Sequence, residues 1–390
     1  MIEEAKRLSA VAEYYFSTKL REVRGLMAQG RPVINMGIGS PDLSPSQEVL
    51  DSLSQSIREA GAHQYQSYQG LPELRQTISE FYSHKFGVNL DPDSEILPLM
   101  GSKEGIMHIS MAFLNPGDRV LIPDPGYPTY ASVTRLVGAE PVFYPLSEAG
   151  GWFPDLEALS RTDLSSVKMM WASYPHMPTG ARASERQLEA LVTFAREHDI
   201  LLVNDNPYSF VLTDKPLSIL GAPGAPGQVL ELNSLSKTFN MAGWRVGMVL
   251  GDKRLLNAVL KVKSNMDSGM FYGIQKGAVA ALKSDPSWFD RLDAVYHRRR
   301  EAVHELADLL GCRYDRDAVG MFVWARLPDG SPGSETFIDD LLYRHNIFVA
   351  PGTIFGSQGA GYIRFSLCVP EEKIREAVGR LQADKSKKED

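Results

Sequence analysis

Between residues 94 and 251 the chain alternates short apolar runs with longer stretches of helical period. The runs "EILPLM", "RVLIPD", "PVFYPL", "KMMWAS", "ILLVND", "VLELNS" and "RVGMVL" are rich in β-branched and aromatic residues. Several are apolar throughout, as strands of a sheet covered on both faces must be. The stretches between them carry apolar residues at helical spacing. In "SERQLEALVTFAREHD", Ser184 stands where a helix cap is needed. This alternation predicts an α/β fold with a large, doubly wound, mostly parallel sheet, although the pattern does not encode the strand order. From about residue 285 the period lengthens. The segment "WFDRLDAVYHRRREAVHELADLL" predicts a long helix, and "GMFVWARL" and "YIRFSL" read as strands, so a smaller α+β unit is expected. The expected division is a large domain over 46–280 and a small one combining 1–45 with 281–390. No internal repeat is visible, and "GAPGAPG" reads as a surface loop.

In open sheets of this kind ligands lie beyond the carboxyl ends of the strands. Five of the runs are followed there by polar or turn-forming loops: "GSKEG", "PGYPTY", "YPHMPTG", "NPYSF" and "LSKTF". These loops are expected to meet on one rim.

Composition narrows the function classes. A chain of 390 residues with 43% hydrophobic and 23% charged residues has ample core for two domains and no disorder signature. Its net charge of -7 offers no general attraction for nucleic acid or an anionic membrane. The basic runs "HRRR" and "KSKK" are short and read as solvated surface. No apolar run approaches the roughly 18 residues of a membrane span, and the N-terminus lacks a secretory pattern. The two cysteines provide neither a disulfide framework nor metal-ligand spacing, so no metal is expected and the location expected is cytoplasmic.

The loop "SLSKTFNMAGWRVG" carries the chemistry. Lys237 stands among small and apolar residues, where lost hydration favours the neutral, nucleophilic amine. By itself it would be an ordinary surface lysine. Beside it are the hydroxyls of Ser234 and Ser236, and Arg245 offers a guanidinium fork suited to a phosphate. A lysine with phosphate ligands points to pyridoxal 5'-phosphate. That cofactor needs a carboxylate against its ring nitrogen, for which Asp205 at the end of "ILLVND" is placed, and Tyr208 can reach the ring's phenolic oxygen. Gly101, Ser102 and Lys103 lie where a strand gives way to a helix, and free N–H groups there bind phosphate. Tyr127, in the proline-stiffened "DPGYPTY", is a candidate to stack on the ring.

Taken together, "SLSKTFNMAGWRVG", "GSKEG", "DPGYPTY", "PTG", "NDNPY" and "YIRFSL" resemble the class I/II aminotransferases, the fold-type I pyridoxal-phosphate enzymes. The resemblance runs from about residue 34 to 367. It implies that Lys237 forms the Schiff base and shuttles the proton, that Arg364 clamps the substrate α-carboxylate, and that the backbone of Gly39 approaches the same carboxylate. From the residues alone Arg364 reads as an edge-strand arginine. The resemblance further implies that Tyr65 reaches the neighbouring subunit's phosphate, so that a homodimer shares its active sites. An amino acid and a 2-oxo acid are the implied substrates, with no nucleic acid and no membrane as partners.

One position departs from the family. The asparagine that usually precedes "PTG" is Met177 here, so a hydrogen bond to the phenolic oxygen is lost and the Schiff base is expected to hold its proton to higher pH. His176, beside it, reads as a bystander. Within the family the chain is similar to LL-diaminopimelate, aspartate and alanine aminotransferases. Lys103 stands either as a reader of a second carboxylate or as an outward lysine whose amide alone touches phosphate. A C–S lyase on the same scaffold is the alternative activity. The third reading, a DNA-binding regulator, lacks room for a helix-turn-helix module before "INMGIG".

Overall fold

Every one of the seven apolar runs forms a strand, and hydrogen bonds join them into one sheet. The computed structural model describes residues 2–10 and 15–389. In chain order the strands are β1 (Ile34–Asn35), β2 (Ile96–Leu99), β3 (Arg119–Asp124), β4 (Glu140–Pro145), β5 (Val167–Ala172), β6 (Leu201–Asp205), β7 (Val229–Ser234) and β8 (Gly247–Gly251). They continue with β9 (Arg313–Tyr314), β10 (Phe322–Arg326), β11 (Ile347–Phe348), β12 (Ala350–Pro351) and β13 (Tyr362–Ser366).

The large sheet has the order β2-β8-β7-β6-β5-β3-β4. Neighbours from β7 to β4 run parallel, and β8 runs antiparallel to both β7 and β2. The carboxyl ends of β2, β3, β5, β6 and β7 therefore share one rim. Successive side chains of a strand point to opposite faces, and both faces are covered. Met169, Trp171, Leu201 and Val203 belong to one buried cluster, while Met170, Ala172 and Leu202 belong to another. That is why these runs are apolar without alternation. On one side the helix Glu185–Glu197 packs through Leu188, Leu191 and Val192. It begins with a reciprocal capping box in which Ser184 accepts from the Gln187 amide and the Gln187 side chain accepts from the Ser184 amide.

A second, four-stranded sheet has the order β12-β13-β10-β9 and is antiparallel. β1 pairs in parallel with β11, which ties residues near 35 to residues near 348. Arg364 lies on β13 between Trp324 of β10 and Ala350 of β12. Its strand is interior, not an edge. The long helix Ser287–Leu309 contains "HRRR", and one member of that run corrects the reading of a solvated surface. Arg299 is buried and forms a bidentate pair with Asp42, at 2.6 and 2.8 Å, while also donating to the Leu367 carbonyl at 3.0 Å. Sequence proximity could not reveal a partner 257 residues away. Cys312 and Cys368 are buried and unpaired. Among the described residues no helix is long and apolar enough to cross a membrane.

Candidate active site

The five rim loops meet as expected, around a cavity of about 980 Å³. Ser102, Lys103, Tyr127, Asp205, Tyr208, Ser234, Ser236, Lys237 and Arg245 come from the rim of the large sheet. Gly39 and Arg364 close it from the β1 loop and β13. Gly101 stands directly behind Ser102 as the residue before the helix Ser102–Phe113. Tyr65 is not in the cavity; its ring lies on the outer surface, 90% exposed.

Lys237 follows β7 in a short helix, Leu235–Thr238. The Ser234 hydroxyl accepts from the Ser236 amide at 3.1 Å and donates to the Val246 carbonyl at 3.2 Å, which fixes the turn before the lysine. Lys237 Nζ donates to the Gly39 carbonyl at 2.6 Å. Burial pushes its pKa down, and the nearby Arg364 and Arg245 add repulsion. The neutral amine is thereby easier to reach than in a solvated lysine.

At one end of the cavity the structure is prepared for an anion. The first amides of the helix Ser102–Phe113 have no intrahelical acceptor, and the helix dipole adds positive potential there. Arg245 is held in the left-handed region at φ 55°, with Nη1 donating to the Ala242 carbonyl at 3.1 Å. A Cβ on Gly101, whose φ is +89°, would collide with Arg245 Nη2. Glycine is required here for its conformation, and a Cβ would also push the Arg245 guanidinium from its place.

Deeper in the cavity is Asp205. Its Oδ2 accepts from the Tyr130 hydroxyl at 2.8 Å, whereas Oδ1 is buried with no partner. Burial raises its pKa to about 6, only partly offset by the Tyr130 hydroxyl. Tyr130 is itself fixed, stacked on Trp171 with ring centroids 4.8 Å apart and edge-on to Tyr127 at 5.6 Å.

Arg364 forms the opposite wall. Its guanidinium lies 3.9 Å from the Phe322 ring centroid and 4.6 Å from that of Phe355. Nη2 donates to the Gly37 carbonyl at 3.0 Å, Nη1 meets the Met177 thioether at 3.4 Å, and Nε has no partner. Burial lowers its pKa to about 10, still far above neutrality, so a cation that pairs with no carboxylate among the described residues faces the cavity. The loop that carries Gly37 and Gly39 is anchored at Asp42 by Arg299. His176 donates to or accepts from Thr179 Oγ1 at 2.8 Å through Nδ1, and burial lowers its pKa to about 3, so it remains neutral.

The cavity thus presents an anion cradle, a buried amine, a carboxylate oxygen without a donor, and a guanidinium whose Nε has no partner. This combination suits an amino-group reaction on a carboxylate substrate held beside a phosphorylated, nitrogen-containing ring. The family model for aminotransferase class I and II matches residues 31–381. The chain belongs to the class I and II aminotransferases. An LL-diaminopimelate aminotransferase from Dehalococcoides mccartyi is 38% identical to it over 384 residues, covering 98% of this chain and 99% of the relative. The corresponding protein of Aquifex aeolicus is 36% identical, again covering 98% and 99%. Among solved structures, substrate-bound BacF from Bacillus subtilis superposes with a TM-score of 0.93 at 34% identity, covering 98% of both chains. A single mutant of Thermus thermophilus aspartate aminotransferase gives 0.91 at 26% identity, covering 97% and 99%. The fold is therefore fold type I, and the chain is an aminotransferase; nothing in these relatives supports a lyase.

Four residues in or beside the cavity escaped sequence reasoning. Tyr130 was available in the quoted "DPGYPTY", but only the fold shows that its hydroxyl, rather than that of Tyr127, meets Asp205. Phe322 and Phe355 carry no local signal for flanking an arginine. Asp124, at the end of β3, accepts from the Ser357 amide at 3.1 Å and hydroxyl at 2.6 Å and from the Gln358 amide at 3.0 Å. It thereby ties the loop bearing Phe355 to the loop bearing Tyr127. Outside the cavity, Glu104, His108 and Asp267 bring ligand-type atoms within 4.8 Å of one another. Two of the three already have partners within the chain: Glu104 accepts from the Met100 amide at 2.7 Å, and Asp267 pairs with Lys263 at 2.9 Å.

Proposed function

We propose that this aminotransferase works with pyridoxal 5'-phosphate, and that its two-stage reaction moves the α-amino group of an amino acid to a 2-oxo acid. The observation that carries the cofactor is the Asp205 carboxylate, buried with Oδ1 unpartnered, in one cavity with Lys237 and the anion cradle. When bound, the cofactor supplies an electron-withdrawing ring that stabilises negative charge at the substrate Cα.

The proposed roles follow from position. Asp205 holds the ring nitrogen in its protonated form, and the raised pKa in the cofactor-free protein falls back once that cation is present. Arg245, Ser234, Ser236 and the amides of Gly101, Ser102 and Lys103 hold the phosphate. Tyr127 covers the ring, and Tyr208 donates to its phenolic oxygen; with Met177 nearby in place of an amide, Tyr208 bears more of that task. Lys237 joins the cofactor through its neutral amine and, once released, accepts the proton from the substrate Cα as general base. Arg364 takes the α-carboxylate as a bidentate fork, beside the backbone of Gly39.

The exposed Tyr65 ring supports a homodimer in which it reaches the phosphate of the partner's site. We also assign 46–280 to a large domain and 1–45 with 281–390 to a small one, on the two separate sheets. Two unpaired cysteines support a cytoplasmic location. LL-diaminopimelate, named for the relatives, is the first amino donor to test, and Lys103 in the cavity wall is the cation available for a second carboxylate.

The test is a half-reaction screen. Amino acids are added singly to cofactor-loaded protein and the visible absorbance is followed. Loss of the absorbance without release of ammonia is expected for a donor. A protein that stays colourless with the cofactor, or cofactor that borohydride does not fix onto Lys237, would overturn the proposal.

A further inference from the structure

Asp124 has no part in the roles proposed above, yet it joins the two sides of the cavity. It ends β3 in the large sheet, where its backbone carbonyl accepts from the Leu146 amide at 2.7 Å. The buried side chain leaves that sheet and reaches the connection between β12 and β13. Oδ2 takes the Ser357 amide at 3.1 Å and hydroxyl at 2.6 Å, and Oδ1 takes the Gln358 amide at 3.0 Å. A fourth bond runs beside these, from the Gly126 amide to the Phe355 carbonyl at 2.8 Å. The approach is so close that a Cβ on Gly356, whose φ is +133°, would strike Asp124 Oδ1. Phe355, in the loop held this way, has its ring centroid 4.6 Å from the Arg364 guanidinium and packs edge-on to Trp324 at 5.7 Å. Tyr127, three residues beyond Asp124, lines the cavity from the side of the large sheet.

We propose that Asp124 is a positioning residue that sets the spacing between the wall carrying Tyr127 and the wall carrying Arg364, an inference that rests on the reading of Arg364 as the carboxylate clamp. The amino group and the carboxylate of an amino acid share one Cα, so their separation is fixed. The cavity has to present the clamp at a matching distance from Lys237 and Tyr127. Among the described residues no strand pairing joins the sheet of β3 to the sheet of β12 and β13, so side chains must supply that register. With three donors on its two oxygens, the Asp124 carboxylate fixes Ser357 and Gln358, and through them Phe355 beside Arg364. Without it the loop would have to be ordered each time a substrate binds, a cost shared equally by the bound substrate and the transition state. Such a cost raises KM and leaves kcat unchanged. Asparagine cannot replace the acid, because its amide presents a donor where one carboxylate oxygen accepts.

The experiment follows the half-reaction of cofactor-loaded, full-length protein with its amino donor by stopped flow. The visible absorbance gives the half-saturating donor concentration and the limiting rate. Asp124→Asn is expected to raise the half-saturating concentration about tenfold, the scale of one hydrogen bond to a charged group, and to leave the limiting rate within about twofold. Ser357→Ala, which removes the hydroxyl and spares both backbone amides, should raise it about threefold. Retention of the cofactor, measured by equilibrium dialysis, should be unchanged in both variants, because Asp124 touches none of its proposed ligands. In Arg364→Gln the clamp is already lost, so adding Asp124→Asn should cost no more than about twofold further. A merely structural role would cost the same factor in either background. The proposal is overturned if both Asp124→Asn and Ser357→Ala take the donor as wild type does, or if the limiting rate falls while half-saturation stays put. Additivity of the substitutions at 124 and 364 would also overturn it, as would a loss of cofactor retention equal to the loss of donor binding, because a general loosening of the cavity would then be the cause. If Arg364→Gln takes the donor as wild type does, the clamp assignment itself fails, and the role of Asp124 with it.

Discussion

Asp205 makes a quantitative prediction about the protein without its cofactor. Its carboxyl group is fully buried, with Oδ1 unpartnered, and its pKa rises from the ordinary 3.8 to about 6. Between these values the folded protein keeps a proton that the unfolded chain has lost. The unfolded state then binds fewer protons, so stability falls as pH rises from about 4 to about 6 and levels off above. A shift of this size corresponds to about 3 kcal/mol. Asp205→Asn removes the titration. The substituted amide adds its own unpaired group, but that cost does not change with pH and cancels in the comparison. Urea midpoints of cofactor-free wild type and variant, read by fluorescence from pH 4 to 8 at fixed ionic strength, give the difference directly. The variant should gain on wild type by about 3 kcal/mol between pH 4 and 7, and then no further. Loading wild type with the cofactor should reverse the order at neutral pH, because the ring nitrogen supplies the missing donor. A difference independent of pH would refute the argument that an unmatched carboxylate is stored in this cavity.

Other predictions concern the walls of the site. Gly101→Ala places a methyl group against Arg245 at φ +89°, and the strain of about 1–3 kcal/mol should loosen cofactor retention about tenfold or more, measured by equilibrium dialysis. Arg364→Lys keeps the charge but loses the planar fork, so KM for the amino donor should rise about 10- to 100-fold in steady-state assays. Arg299→Met leaves Asp42 without its bidentate partner. Loss of one partner from a buried pair costs about 3–5 kcal/mol, but the Asp42 side chain is 25% exposed, so a loss of about 2 kcal/mol is expected in urea unfolding, with a raised KM because the Gly39 loop is freed.

What could be read in the sequence was whatever depends on neighbours along the chain. A strand buried on both faces must be apolar throughout, so all seven strands of the large sheet were visible in "EILPLM" through "RVGMVL". The loops at their carboxyl ends advertised Lys237, Asp205 and Arg245, because a lysine, an acid and an arginine among small and apolar residues at such a rim are each unusual in that company. Gly101 was legible as a strand-to-helix junction, though not as the residue whose missing Cβ admits Arg245.

Only the tertiary structure decided the rest, since those contacts join segments that are independent in sequence. Strand order depends on how helices cross the sheet, and no run of residues carries that information. Arg299 looked like one of three surface arginines until the long helix brought it to Asp42. Arg364 looked like an edge residue until β10 and β12 closed around β13 and two phenylalanines covered its faces. Tyr130, not Tyr127, meets Asp205 because the helix Thr129–Leu136 carries its ring onto Trp171 and its hydroxyl to the carboxylate. In each case the side chain's identity was plain from the start, and its energy was set by burial and by partners in other elements of the fold.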